Sequence, residues 1–160
     1  MQRRAFIQAG LASVTLATVP ASLRASEANI ALLDSELIYL SPYQSSGSLS
    51  RCQAEVWYAM LGADIFVVTA SESWRVQAPL KGLVRTKLWI GDLGVWKNAD
   101  YGSLPSVGAV AKIETDKKVI ELALQQFGYK YSTEWGKWGP RFKRGLADGS
   151  RTMLRYGLST

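Results

Sequence analysis

Histidine is absent from the 160 residues, and cysteine occurs once. Without histidine there is no Ser-His-Asp triad, no Cys-His pair and no His-ligated zinc or haem. A single cysteine excludes an intramolecular disulfide and a thiolate metal cluster. That residue, Cys52, lies between Arg51 and Gln53. A flanking guanidinium can lower a thiol pKa; the other reading is a small strand residue. No pair of carboxylates and no activated nucleophile marks a hydrolase. Long apolar runs are also missing. The stretch 9–23 is uncharged but only mildly apolar, interrupted by Gly10 and Pro20, and too short for a stable membrane span. Repeats and low-complexity tracts are lacking as well.

What remains has a globular composition, 48% hydrophobic and 20% charged, sized for one domain with one core. Six Trp and seven Tyr are many for this length. Such rings fill cores, and they also line pockets for planar ligands. The net charge is +6. Its excess sits late, where Lys130, Lys137, Arg141, Lys143, Arg144, Arg151 and Arg155 face only Glu134 and Asp148. This reads either as a solvated helix face or as a patch for an anionic ligand or surface.

The chain opens with Gln2-Arg3-Arg4-Ala5-Phe6-Ile7-Gln8, which resembles a twin-arginine export signal. The uncharged stretch, Arg24 and the small residues Ala21, Ala25 and Ala28 follow in the order of a signal peptide with its cleavage region. Residues 1–28 are therefore expected to be a signal and 29–160 one domain. The twin-arginine route implies export of an already folded protein to the periplasm or beyond, with the export machinery as a partner. Many passengers of that route carry a cofactor.

In the mature part, residues 30–36 predict a short helix leading into a strand at 37–43. A polar turn at 44–48 precedes a strand at 52–60, with Ala54, Val56, Tyr58 and Met60 on one face and Glu55 and Trp57 on the other. A tight connection leads to a β-branched strand at 65–69, which completes an antiparallel meander. A helix over 74–80, capped by Ser71 or Ser73, comes next. Strands follow at 86–90 and 109–114, separated by an irregular excursion over 95–108. Thr115 or Asp116 caps a helix over 117–127. Thr133 caps another helix, broken at Gly139-Pro140, and 152–158 is a closing strand. This order predicts an α+β fold: a small antiparallel split β-barrel of six strands with helices packed outside.

The segment Thr69-Ala70-Ser71-Glu72-Ser73-Trp74-Arg75 ends a strand and opens a helix. Helix-start amides, hydroxyls and a planar cation together suit a phosphate, whereas Glu72 opposes one unless it points away. Together with Val56-Trp57-Tyr58, Ile65-Phe66-Val67-Val68-Thr69 and Ser73-Trp74-Arg75-Val76, this segment resembles the FMN-binding split barrels. Those are the relatives of pyridoxamine 5'-phosphate oxidase and the deazaflavin-dependent reductases. The resemblance runs in order over 37–91. It implies FMN or a deazaflavin bound at a homodimer interface, with Trp57 and Tyr58 near the ring and Thr69, Ser71, Ser73 and Arg75 near the phosphate. Where the family commonly has two basic residues in this segment, the chain has Trp74 and one Arg; Lys81 and Arg51 are the further cations in reach.

The expected function is thus an exported flavin-type protein, an oxidoreductase acting on a small molecule. Such chemistry belongs to the cofactor and needs no histidine. The alternative is a split barrel that binds a small molecule or a protein without catalysis. The basic and aromatic stretch after Lys130 raises nucleic acid as a ligand, which export argues against.

Overall fold

The computed structural model describes residues 21–51 and 54–159. The arginine pair, the apolar run as far as residue 20 and Cys52 lie outside the described residues. The elements run α1 (Ala21–Asp34), β1 (Leu37–Pro42), β2 (Ala54–Trp57), β3 (Ala59–Leu61), β4 (Asp64–Ala70), α2 (Trp74–Leu80) and β5 (Arg85–Ile90). Two short 3₁₀ turns follow, Trp96–Asn98 and Tyr101–Ser103. Then come β6 (Ser106–Ile113), α3 (Lys117–Lys130), α4 (Ser132–Asp148) and β7 (Arg151–Leu158).

The seven strands form one antiparallel sheet in the order β2-β1-β5-β6-β7-β4-β3. Its two edges, β2 and β3, are successive parts of the single stretch expected as one strand. The first part pairs with β1, Val56 opposite Ile38, and the second with β4, Met60 opposite Ile65. The change of partner at Tyr58 curls the sheet into a nearly closed barrel, so the stretch expected as one strand supplies two of the seven.

Alternation sorts the side chains of these strands. Ile65 and Val67 of β4 point into the barrel with Ile38, Leu40, Leu88 and Leu154. Phe66 and Val68 point outward into a second core with Ala123, Phe127 and Phe142 of α3 and α4. Ala28 and Leu32 of α1 and Val76 of α2 belong to the barrel's own core. Tyr101 of the excursion stacks on Tyr39 at 5.5 Å and meets Trp89 edge-on at 5.2 Å.

Asp116 caps α3, its carboxylate accepting from the amides of Lys118 (2.8 Å) and Val119 (3.4 Å). Two expectations for α4 are corrected. Thr133 is not its cap, because the helix starts at Ser132 with Tyr131 in the capping position. Nor is it broken at Gly139-Pro140, since it runs unbroken to Asp148. Pro140 removes one amide and crowds the carbonyl four residues back. That carbonyl belongs to Gly136, which is exposed and bears no side chain, and the opposite face is anchored by Phe142 and Trp135.

Candidate functional site

The strand-to-helix segment after β4 gathers four of the expected residues. Thr69 is the sixth residue of β4 and buried; Arg75 is the second residue of α2 and half-buried. The Arg75 guanidinium turns back onto Thr69, donating from Nε at 3.1 Å and from Nη2 at 2.8 Å to Oγ1. Among the described residues Arg75 has no carboxylate partner, and the exposed Glu72 forms no ion pair with it. Its charge is positioned by a neutral hydroxyl and left uncompensated.

Ser73 begins α2, but its side chain forms no capping bond, and its Oγ is buried without a partner. Ser71 is committed to the fold: its Oγ donates to the Gly149 carbonyl at 2.7 Å and lies 2.8 Å from Thr152 Oγ1. At 7 residues α2 is short, so Arg75 dominates the positive potential here.

Beside this segment a cleft of about 440 Å³ is lined by Arg51, Trp74, Leu83, Ser50, Gln44 and Ser45. Lys81 places its ammonium 5.5 Å from the centre of the Trp74 ring. Arg51 thus shares a cleft with the Trp74 indole and Lys81 lies over it, while Arg75 follows Trp74 in the helix with its guanidinium on Thr69. Trp74 was not among the expected site residues, although it stands between Ser73 and Arg75 in the sequence.

Trp57 and Tyr58 lie elsewhere. Trp57 joins the outer core, stacked on Tyr131 with ring centres 4.2 Å apart and nearly parallel. Tyr58 is fully buried inside the barrel. Its hydroxyl proton is shared by the carbonyls of Leu32 and Ser35, each at 2.8 Å, which ties the end of α1 to the barrel. Within one chain, neither ring packs with Arg75.

Around Tyr58 is a polar cluster that the sequence did not announce. Tyr131 Oη accepts from the Tyr58 amide at 3.0 Å and donates to the carbonyls of Glu36 (2.7 Å) and Tyr58 (2.9 Å). Lys130 lies with its ammonium 3.2 Å from the centre of the Tyr58 ring. Burial pushes Lys130 down to about 8, against the raising influence of Asp92 and Glu36. Burial likewise pushes the Tyr58 and Tyr131 hydroxyls above their usual range.

A second cavity, about 830 Å³, lies between α3 and α4 and includes none of these residues. Among the described residues no group of three His, Cys, Asp or Glu could hold a metal. No helix among them is long and apolar enough to cross a membrane.

No family model matches the sequence, and no curated protein does. Solved structures match the fold. HutZ, the heme storage protein of Vibrio cholerae, superposes with a TM-score of 0.57 at 14% identity, over 84% of this chain and 89% of that one. A Listeria innocua protein provisionally named a pyridoxamine 5'-phosphate oxidase gives 0.55 at 11% identity, over 86% and 94%. An FAD-binding protein of Mesorhizobium loti gives 0.52 at 13% identity, over 85% and 90%. The chain therefore has the split-barrel fold, shared by proteins named for flavin and for heme. At these identities the likeness speaks for the fold alone, and fold does not fix function.

Proposed function

We propose that this protein binds a flavin-type cofactor, FMN or a deazaflavin, and uses it in oxidation–reduction of a small molecule outside the cytoplasm. The observation that carries the reading is Arg75: a half-buried guanidinium fixed by Thr69 and, among the described residues, without a carboxylate partner, on the helix whose first residue, Trp74, lines a cleft with Arg51. The residues fit the group. Arg75 and Arg51 suit a phosphate, with Lys81 a further cation, and Trp74 offers a planar surface to a planar ring. A bound flavin would supply hydride transfer, while the chain's own residues bind and orient. Heme would have to be held without a histidine ligand, by Tyr, Met or Cys.

The family resemblance puts such cofactors at a dimer interface, so a homodimer is part of the proposal. The export part of the proposal rests on Arg3 and Arg4 in their signal pattern. Replacing both by Lys keeps the charge and loses the guanidinium geometry. The precursor is then expected to stay in the cytoplasm; normal maturation of the double-Lys protein would remove the assignment.

One observation favours a second reading, a binding module without catalysis. The two rings expected beneath the flavin, Trp57 and Tyr58, are consumed by core packing and by the tie to α1. The absorption spectrum of the protein purified from an export-competent strain tests the first reading. Flavin or deazaflavin bands that co-purify, and that are reduced by an added electron donor, are expected. A colourless protein, or a heme band, would count against it.

A further inference from the structure

The cavity between α3 and α4 plays no part in the proposed function, and its chemistry is different. It is a groove between the two C-terminal helices, which are joined at Tyr131 and run back alongside each other. Its floor is apolar: Ile120 and Leu124 from α3, Trp135 and Leu146 from α4. Trp135 is locked in place. A methyl group added at Gly128 or Gly139 would sit 2.9 or 2.8 Å from its ring, so both glycines are there to admit the indole. The ring also stacks on Phe127, 6.2 Å away. Trp135 lies near the α3–α4 junction. Towards the other end stand Lys117, the first residue of α3, and Lys143, both exposed and neither in an ion pair among the described residues. Glu121 is the carboxylate in the lining.

A volume of about 830 Å³ falls within the range of small-molecule sites. Lys117 to Leu124 spans seven residues of helix, about 10 Å, which sets the length of chain the floor can cover. We propose that this groove binds a medium-chain aliphatic carboxylate, its chain along Ile120, Leu124 and Leu146 towards Trp135 and its head group between Lys117 and Lys143. The apolar floor alone would accept a neutral chain equally well; the two unpaired ammonium groups at one end select an anion.

Calorimetric titration of the full protein with decanoate and with decanol tests this. Decanoate is expected to bind one per chain, about tenfold or more tighter than decanol. The exposed double variant Lys117→Glu/Lys143→Glu should weaken decanoate about tenfold, and less so at high salt. Lys143→Arg, which keeps the charge, should bind as the wild type. Equal binding of decanol, or no effect of charge reversal, would overturn the proposal. So would no heat with decanoate, including the case where light scattering shows a second copy covering the groove.

Discussion

Tyr131 and Tyr58 hold each other through the backbone of one and the hydroxyl of the other: Tyr131 Oη accepts from the Tyr58 amide at 3.0 Å and donates to its carbonyl at 2.9 Å. This occurs at the point where the strand leaves β1 for β4, and where Tyr58's own ladder partners are interrupted. The hydroxyl of a helix junction therefore satisfies the backbone groups that barrel closure leaves open.

Tyr131→Phe is expected to destabilise the fold by about 1–3 kcal/mol, the cost of leaving a buried amide without its acceptor. Tyr58→Phe should cost a similar amount and loosen α1, because the carbonyls of Leu32 and Ser35 lose their shared donor. Denaturant unfolding and amide exchange in α1 read the two effects. A Tyr131→Phe protein as stable as the wild type would contradict this role.

Lys130 gives the same cluster a pH signature. Its amine falls from the usual 10.5 to about 8 in the folded protein. Between those values the unfolded chain binds a proton that the folded one has lost, so this group makes stability rise with pH from about 8 to 10. Tyr58 and Tyr131 act in the opposite sense. Their hydroxyls are raised above the usual 10.0 by burial, so the unfolded chain ionises first and stability falls as pH climbs past 10. Lys130→Met should flatten the rise and keep the fall. Unfolding curves of both proteins between pH 7 and 11 decide this; an unchanged rise in the variant would assign it to another group.

Much of this architecture was legible in the sequence, and the exceptions have physical causes. The alternation Val56, Tyr58, Met60 against Trp57 correctly separated barrel interior from outer face, because side-chain alternation persists through the change of partners. The change itself was invisible, since it depends on which strands lie alongside. The segment Trp74–Leu80 was readable as a helix from its flanking Ser and Gly. Gly139-Pro140 misled because propensity is a local quantity, whereas α4 is held by Trp135 and Phe142 against the barrel. Of the candidate site, the sequence showed which hydroxyls and cation sit at the end of β4. It could not show that Ser71 is spent on Gly149, or that Arg51 shares a cleft with Trp74. Those contacts join residues far apart in the chain or on opposite sides of a strand.

Arg75, presented by Thr69, is proposed to hold the anionic part of a planar cofactor, and FMN titration of the wild type and of Arg75→Ala checks this. A charged, partly desolvated hydrogen bond contributes about 1.5–3 kcal/mol. The wild type is expected to take up one FMN per chain, and Arg75→Ala to bind it roughly ten- to more than a hundredfold more weakly, with the fold retained but less stable, since buried Thr69 loses both donors, and a gap that narrows as salt rises. Equal affinity of the two proteins for FMN, or no uptake by the wild type, would contradict the account.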